Sequence, residues 1–253
     1  MEKITSRENA KVKYACRLAS SGAFRRAEGR FLAEGRKLCP ELCRGAELET
    51  LFCTESALER CPELSELPGE HYLVEDHVAD KLADVGTHQG VFGVFRTPVH
   101  PLEEVKTGGR YLALERVQDP GNVGTVLRTL DAFDADGLLL TGGCAAPFGP
   151  KTVRASMGAV FRRPVWSVTP EELGDLLRRS GIPLYGAALR PDALDARQAD
   201  YSRCALAIGS EGRGLSREVL DLCDKTVLIP MSPRCESLNA AIAAAVLLWE
   251  SWR

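Results

Sequence analysis

The sequence predicts an α/β protein whose C-terminal part is a parallel β-sheet covered by helices on both faces. From residue 110 onwards, short apolar runs alternate with segments of helical periodicity, which is the pattern of consecutive β-α units. These runs are apolar at nearly every position, which indicates strands that are buried on both faces. Because ligands of parallel sheets bind beyond the carboxyl ends of the strands, the loops after these runs are the candidate functional segments.

Each predicted element has a local reason. The N-terminal part opens with a helical pattern at about 8–22 and has β-forming runs at 48–55, 71–75 and 90–96. Thr169, Pro170 and Glu172 form the N-cap, first position and capping box of a helix over 169–181. The C-terminal part has predicted strands at 111–115, 137–141, 164–168, 183–189, 204–209 and 226–231, and further helices at 122–135, 149–159, from 216 and over 237–253.

Composition and cysteine usage argue against several classes of protein. Apolar residues make up 45% and charged residues 26% of the chain, as in globular proteins. The longest apolar run, residues 240–249, is too short to span a bilayer, and the N-terminus lacks the apolar core of a signal peptide. Nine cysteines without a C-x-x-C motif and four histidines without ligand spacing predict reduced thiols in a cytoplasmic protein, with no metal site and no membrane association.

Charge is distributed unevenly along the N-terminal third. Residues 1–44 contain eleven Lys and Arg against five Asp and Glu, whereas residues 45–90 contain two against eleven. The basic segment is suited to contact a phosphate backbone, although a solvated helix surface gives the same pattern. Residues 97–109 have two prolines and end in Gly-Gly, which predicts a linker between a domain of residues 1–96 and a domain of residues 110–253.

The first candidate loop follows the strand at 111–115 and leads into a helix. Asn122 stands where a helix N-cap is expected, and capping alone would explain it. Gly124, Arg128 and Asp131 fall on the face opposite the core, so Arg128 is either free for a ligand, solvated, or paired with Asp131. The expected core face of this helix consists of Val123, Val126, Leu127, Leu130 and Phe133.

The second candidate loop, G-S-E-G-R-G at 209–214, resembles a phosphate-binding turn but carries a carboxylate, Glu211. Its glycine spacing is not that of a dinucleotide site, and no Lys-Ser/Thr pair follows as in a P-loop. A phosphate cradle is electropositive, so a glutamate would repel the anion. The glycines alternatively serve a tight turn that needs positive φ angles.

The third candidate loop, residues 229–239, reads I-P-M-S-P-R-C-E-S-L-N. Ser237 and Asn239 stand at the start of the terminal helix, where capping alone would explain them. The residues with helical spacing that we expect in the core are Leu238, Ile242, Ala245 and Trp249.

Taken together, N-x-G-x-x-x-R at 122–128, G-S-E-G-x-G at 209–214 and I-P-M…E-S-L-N at 229–239 resemble the SpoU (TrmH-type) family of RNA ribose 2′-O-methyltransferases, in the SPOUT superfamily. The resemblance covers about residues 110–253, and the N-terminal part is similar to the family's RNA-binding domain. It implies an α/β-knot domain with a deep trefoil knot, preceded by a small α/β domain like that of ribosomal protein L30e. It also implies a homodimer and S-adenosylmethionine as the cofactor.

The resemblance also implies roles for individual residues. The catalytic set would be Arg128, Asn122, Glu211, Ser237 and Asn239. The cofactor-binding set would be Leu189, Gly209, Ile229, Met231 and Leu238. One departure stands in the third loop, where Pro233 replaces the usual glycine and would remove an N–H group.

The N-terminal basic segment is the candidate RNA-docking surface. Its proposed RNA-binding residues are Arg7, Lys11, Lys13, Arg25, Arg26 and Arg30. Through the resemblance, the two-domain layout and the chain length imply ribosomal RNA over transfer RNA as the substrate. The alternatives are a transfer RNA ribose methyltransferase, a catalytically inactive RNA-binding relative, and a nucleotide-dependent oxidoreductase. The last requires a G-x-G-x-x-G motif after an early strand, and the sequence has none.

Overall fold

The structure is a computed structural model that describes residues 1–83, 88–235 and 237–252. The chain divides into two compact units. Unit 1 comprises Met1–Val99 and Phe148–Phe161, and unit 2 comprises His100–Pro147 and Arg162–Arg253. Within unit 1, the ring of Phe31 packs 5.6 Å from that of Phe148 and 5.2 Å from that of Phe161, so the segment 148–161 shares this unit's aromatic core. The predicted domain boundaries at 97–109 remain a prediction.

Unit 1 contains a mixed five-stranded sheet. Its strands are β1 (Glu2–Ile4), β2 (Arg30–Glu34), β3 (Leu48–Cys53), β4 (Glu70–Val74) and β5 (Val91–Arg96). They lie in the order β1-β4-β3-β5-β2, with β5 antiparallel to both neighbours. The helices of its first segment are α1 (Ala10–Ser20), α2 (Gly22–Glu28), α3 (Leu38–Leu42), α4 (Glu55–Arg60) and α5 (Asp76–Leu82).

Unit 2 contains a seven-stranded sheet in which every pair of neighbours is parallel. Its strands are β6 (Tyr111–Glu115), β7 (Gly137–Thr141), β8 (Val165–Ser167), β9 (Leu184–Ala187), β10 (Leu194–Asp195), β11 (Ala205–Ile208) and β12 (Lys225–Leu228). They lie in the order β10-β12-β9-β11-β6-β7-β8. All residues of β6, β7 and β11 are buried, as the apolar runs predicted. The parallel α/β sheet predicted for the C-terminal part is confirmed.

Except for a short helix at Ala159–Arg162, which was not predicted, the helices after β6 lie close to their predicted positions. They are α6 (Pro120–Ala132), α7 (Pro150–Ser156), α8 (Ala159–Arg162), α9 (Pro170–Arg179), α10 (Arg217–Leu222) and α11 (Ala240–Trp252). Helix α9 has the predicted capping box, in which the Thr169 hydroxyl accepts from the Glu172 N–H and the Glu172 carboxylate accepts from the Thr169 N–H. The start of α6 differs from the prediction, because Asp119 and not Asn122 caps this helix.

The prediction for the core face of α11 was wrong. Ile242 and Trp249 are 51% and 48% exposed, and the buried face instead carries Ala240, Ala241, Ala244, Leu247 and Leu248. The first ten residues of α11 are all apolar, so periodicity in this helix carries no information about which face is buried. An apolar face of α11 therefore remains on the surface of unit 2.

Cysteine burial and helix length bear on the exclusions drawn from composition. All nine cysteines are free thiols, and burial raises the pKa of Cys53, Cys204 and Cys223 to about 12. These buried thiols stay protonated and unreactive near neutral pH. Within residues 1–83, 88–235 and 237–252, the helices are all too short or too polar to span a membrane.

Candidate active site

Four neighbouring strands of unit 2 end at the same edge of the sheet, and the ends of three of them, β12, β9 and β11, line a cavity. In the order β12, β9, β11, β6 they lead into the loops 229–239, 188–190, 209–216 and 116–119. The cavity has a volume of about 400 Å³, within the range of small-molecule sites in proteins. Its walls are mostly aliphatic, with a few charged or polar groups, notably Arg190, Ser210, Glu211, Arg213 and Ser237.

All five residues predicted to bind the cofactor line this cavity. They come from three different loops and are Leu189, Gly209, Ile229, Met231 and Leu238. Leu189 is 63% exposed although it is a large apolar residue, so a ligand in the cavity would cover it. The structure therefore brings the predicted cofactor-binding set together, while the role of each residue remains a proposal.

The turn at 209–214 is closed by its own backbone. The Gly214 N–H donates to the Ser210 carbonyl at 2.8 Å, and of the three glycines only Gly214 has a positive φ, of 62°. Gly209 is required for another reason, since a Cβ there would lie 2.0 Å from the carbonyl carbon of Gly214. The interpretation that the glycines provide positive φ angles thus holds for Gly214 alone, and Gly209 permits a close backbone crossing.

Asn122, Glu211 and Asn239 form one hydrogen-bonded cluster, which we call the polar triad. The Asn122 Nδ2 donates to Glu211 Oε1 at 2.5 Å, and the Asn239 Nδ2 donates to Asn122 Oδ1 at 3.1 Å and to Glu211 Oε1 at 3.4 Å. Along the chain, Asn122 lies 89 positions before Glu211, and Glu211 lies 28 positions before Asn239. Three of the predicted catalytic residues therefore converge at the edge of the cavity, which Glu211 itself lines.

Asn239 serves both the helix and the triad. Its Oδ1 accepts from the N–H groups of Ala241 and Ile242 at 2.9 and 3.3 Å, so the predicted capping is present. Its Nδ2 group points instead to Asn122 and Glu211. Because Asp119 caps α6, the side chain of Asn122 is free to take part in the triad.

Arg128 lies outside the triad. It is six residues after Asn122 on α6, about 9 Å further along the helix axis, and its side chain is exposed. Among the described residues, its guanidinium has neither a hydrogen-bond nor an ion-pair partner. Gly124, expected on the exposed face with Arg128, is buried.

Asp131 does not pair with Arg128 as one alternative required. Its carboxylate accepts from Arg162 Nε at 2.7 Å and from Arg163 Nε at 2.8 Å. Burial alone would raise the pKa of Asp131, but the hydrogen bonds from Arg162 and Arg163 lower it overall. The Arg128 guanidinium is consequently left available for a ligand.

The third loop accommodates Pro233 in a tight turn. The Cys235 N–H donates to the Ser232 carbonyl at 2.9 Å, which places Pro233 at the second position of a β-turn, where proline is favoured. Ser237 is exposed and lines the cavity, and its carbonyl accepts from the Cys235 thiol. Glu236 lies outside the described residues.

Five of the six proposed RNA-binding residues already make contacts within unit 1. Lys11 pairs with Glu70, Lys13 with Glu8 and Arg30 with Glu49, while Arg7 and Arg25 donate to backbone carbonyls. Within the described part of the chain, only Arg26 of this set has no partner and is exposed. The acidic segment 45–90 thus supplies partners to the basic segment, which the charge distribution alone did not reveal.

Sequence reasoning overlooked three charged residues near the site. Arg190 and Arg213 line the cavity, and Glu115 is a carboxylate with 1% exposure at the end of β6. Glu115 had a visible signal, because it is the one charged residue in an otherwise apolar strand. Arg213 gave no signal, since an arginine in a glycine-rich turn is usually solvated.

Comparison with known proteins relates this geometry to a family. Residues 109–249 match the SpoU rRNA Methylase family, and residues 9–93 match the MRM3-like substrate binding domain. The chain belongs to the SpoU rRNA methylase family. It is 32% identical over 251 residues to the 23S rRNA (guanosine(2553)-2'-O)-methyltransferase RlmP of Bacillus subtilis, with 98% of each chain covered.

Two further similarities agree with this assignment. The chain is 33% identical over 224 residues to the 23S rRNA (uridine(2479)-2'-O)-methyltransferase of Streptomyces viridochromogenes, with 86% of this chain and 71% of that protein covered. It resembles the AdoMet-bound rRNA methyltransferase from Sinorhizobium meliloti with a TM-score of 0.88 and 32% identity, covering 99% and 97% of the two chains. The predicted family, α/β fold class, RNA ribose methyltransferase activity and S-adenosylmethionine cofactor are confirmed.

Proposed function

We propose that this protein methylates a ribose 2′-hydroxyl of ribosomal RNA, with the methyl donor held in the cavity of unit 2 and the reaction taking place beside the polar triad. The observation that carries this proposal is the convergence of the loops after β9, β11 and β12 on one cavity, with Asn122 from the start of α6 bonded to Glu211 and Asn239 beside it. Family membership supplies the activity class, and this geometry supports the assignment of residues.

The residues of the cavity fit S-adenosylmethionine. The mostly aliphatic walls suit an adenosine and a methionine-derived chain, and Met231 and Leu238 come from the two sides of the Pro233 turn. Glu211 is compatible with a cationic ligand and would oppose a pyrophosphate, which explains a carboxylate in a glycine-rich turn. When bound, this cofactor supplies a methyl group that is already activated by a sulfonium, so the site needs no metal.

The remaining work of the site is alignment of the ribose. The polar triad fixes the position of Glu211 and of the amide groups of Asn122 and Asn239 relative to the cavity. Arg128 presents a guanidinium that has no partner among the described residues; such a group resists deprotonation and binds phosphate through two N–H groups at once. We assign it to grip the phosphate next to the target ribose, because alignment of reactants lowers the barrier by several kcal/mol.

Ribosomal RNA is favoured over transfer RNA because residues 9–93 match a substrate-binding domain and the two curated relatives described above are named for 23S rRNA. Mapping of ribose methylation on cellular RNA, with and without this protein, tests the proposal. We expect one 2′-O-methyl group in ribosomal RNA to disappear with the protein. Loss of a transfer RNA mark would establish the other substrate, and unchanged maps would favour an inactive RNA-binding relative.

Glu211→Gln is expected to weaken S-adenosylmethionine binding by about tenfold and to lower turnover as well. The glutamine keeps the size but removes the negative charge, which accepts hydrogen bonds from Asn122, Asn239 and the Ala240 N–H. Calorimetry and single-turnover methylation measure the two effects. Normal affinity together with normal turnover would refute an electrostatic role for Glu211.

Arg26 is the residue of the basic segment that we expect to contact RNA most directly. Arg26→Ala should weaken RNA binding and reduce the salt slope of the affinity by about one, because one phosphate contact is lost. Arg60→Ala is the matched control, since Arg60 is an exposed arginine of unit 1 within the acidic segment. Equal effects of the two substitutions would place the docking surface elsewhere.

We further propose that the enzyme is a homodimer, that the C-terminal domain contains the deep trefoil knot of the family, and that the enzyme works in the cytoplasm. The exposed apolar face of α11 supports the first proposal, because Ile242, Trp249 and Trp252 are about half exposed. The rings of Trp249 and Trp252 lie 5.7 and 6.0 Å from that of Phe133, which extends the patch onto the end of α6.

Trp249→Glu is expected to convert the dimer to a monomer, since it places a charge in the centre of an apolar interface. Sedimentation velocity measures the change. Val99→Glu, at a residue of unit 1 that is 87% exposed, is the control and should leave the mass unchanged. A wild-type protein that sediments as a monomer would contradict the proposal.

A further inference from the structure

Glu115 is a buried carboxylate next to the proposed cofactor site that the mechanism above does not use. It ends β6 and is only 1% exposed, in a strand whose other residues are Tyr, Leu, Ala and Leu. Burial of a carboxylate is unfavourable unless the charge is paired or hydrogen-bonded. A carboxylate at this position therefore needs a specific hydrogen-bond partner.

That partner is the backbone of Ser216, 101 residues further along the chain. Glu115 Oε2 accepts from the Ser216 N–H at 2.7 Å. Ser216 is the N-cap of α10, and its hydroxyl accepts from the Val219 N–H. Glu115 thus fixes the point at which the loop 209–214 enters the next helix.

Both ends of that loop are consequently tied to β6. At its start, β11 pairs with β6 in register, with Ile208 opposite Leu114. At its end, Glu115 holds Ser216. Between these two points the loop carries Gly209, Glu211 and Arg213 into the wall of the cavity. Since Asn122 follows β6 on α6, the same strand positions both partners of the Asn122–Glu211 hydrogen bond.

We propose that Glu115 is a positioning residue for the cofactor site, which acts as a hydrogen-bond acceptor for Ser216 and sets the place of Glu211 and the cavity wall. It is not among the described residues that line the cavity, so its effect passes through the loop. Only Oε2 accepts from Ser216. The other oxygen, Oε1, has no hydrogen-bond partner in the described chain and lies 3.5 Å from Arg116 Nη2, with which it forms an ion pair.

The inference rests on the proposed function, and a pair of substitutions of equal size tests it. Glu115→Gln keeps an acceptor oxygen, whereas Glu115→Met removes it and suits the buried position. Glu115→Met is expected to weaken S-adenosylmethionine binding by at least about tenfold, the effect of losing a hydrogen bond to a charged group. Backbone amides of residues 209–216 should also exchange faster in the cofactor-free protein, while RNA affinity is unchanged. Glu115→Gln should stay within about threefold of the wild type in both measurements.

Thr141→Val is the matched control. Thr141 is the register partner of Glu115 on β7 and is likewise buried, with 3% exposure. Its hydroxyl has no hydrogen-bond partner in the described chain, so it does not hold the loop. We expect it to leave cofactor affinity and loop exchange unchanged. A Glu115→Met protein with wild-type affinity and exchange would overturn the inference, and so would a Glu115→Gln protein as impaired as Glu115→Met.

Should Glu115→Met fail to fold, the same hydrogen bond can be removed from the donor side. Ser216 has a φ of −67°, which proline adopts without strain, so Ser216→Pro can remove the N–H group alone from the backbone. This variant also loses the hydroxyl that caps α10, and Ser216→Ala controls for that loss. Only Ser216→Pro should weaken cofactor binding and loosen the loop, and equal behaviour of the two variants would refute the inference. Failure of the proposed function is distinguishable, because then the wild type itself would not bind the cofactor while loop exchange would still respond to Glu115→Met.

Discussion

Replacement of Arg128 by alanine is expected to reduce methyl transfer by at least about a thousandfold, while S-adenosylmethionine binds with unchanged affinity. Arg128 is exposed on α6 with no partner among the described residues and is not among those that line the cavity. Its loss should therefore affect the alignment of RNA and leave the cofactor cavity intact. Single-turnover kinetics with ribosomal RNA and calorimetry with the cofactor separate these two effects.

Two further variants make this prediction specific. Arg128→Lys keeps the charge but loses the planar fork that grips a phosphate, so we expect turnover between that of the wild type and that of Arg128→Ala. Arg178→Ala removes an arginine of α9 whose side chain is 71% exposed and pairs with Asp175, and it should have no effect. Turnover of Arg128→Ala near the wild-type value would remove this residue from the mechanism.

Replacement of Gly209 by alanine is expected to weaken S-adenosylmethionine binding by at least about a hundredfold, because the loop must move to admit one methyl group. The added Cβ would lie 2.0 Å from the Gly214 carbonyl carbon, 2.1 Å from its oxygen and 2.3 Å from the Leu215 nitrogen. These are backbone atoms, which cannot rotate away as a side chain does. The measurement is the dissociation constant of the cofactor, together with the thermal unfolding midpoint.

Gly212→Ala is the control within the same turn. A Cβ at Gly212 meets nothing within 4 Å, and the residue does not have a positive φ. We expect its cofactor affinity to stay within about twofold of the wild type, since neither space nor backbone conformation opposes alanine there. If both variants bound the cofactor equally well, the close crossing at Gly209 would have no functional role.

The sheet of unit 2 could be predicted because its signal is local. The bounds of β6 and β7 agree with the predicted strands residue by residue, since each run is apolar throughout and ends at polar or glycine residues. The capping box of α9 was predictable for the same reason, because its three determinants lie within four residues. Where a rule depends on neighbours along the chain, the sequence sufficed.

The errors arose where the outcome depends on residues that are distant in sequence. The sequence alone suggests a helix cap for Asn122, because the carboxylate that accepts from its side chain, that of Glu211, lies 89 residues away. The ion pairs of Lys11 and Arg30 were equally invisible in the sequence, because their acidic partners Glu70 and Glu49 lie on β4 and β3, 59 and 19 residues away. The exposed face of α11 was assigned to the core because an all-apolar helix gives no directional signal.

The candidate site was predictable in part. The carboxyl-edge rule brings the loops after parallel strands together, and it placed the three motifs on one side of the sheet. The rule does not specify strand order, so it could not determine that β12, β9, β11 and β6 would be adjacent. It points to Glu115 at the end of β6, but it could not reveal the hydrogen bond from Ser216, which spans 101 residues.

Hydrogen exchange of the full-length protein, with and without S-adenosylmethionine, tests the central claim most directly. The claim is that loops from three neighbouring strands, β12, β9 and β11, form one cofactor cavity. We predict that the cofactor protects backbone amides in residues 187–190, 208–215 and 227–240 together, and leaves residues 1–83 unchanged. Protection confined to a single one of these segments, or found mainly within residues 1–83, would contradict the account.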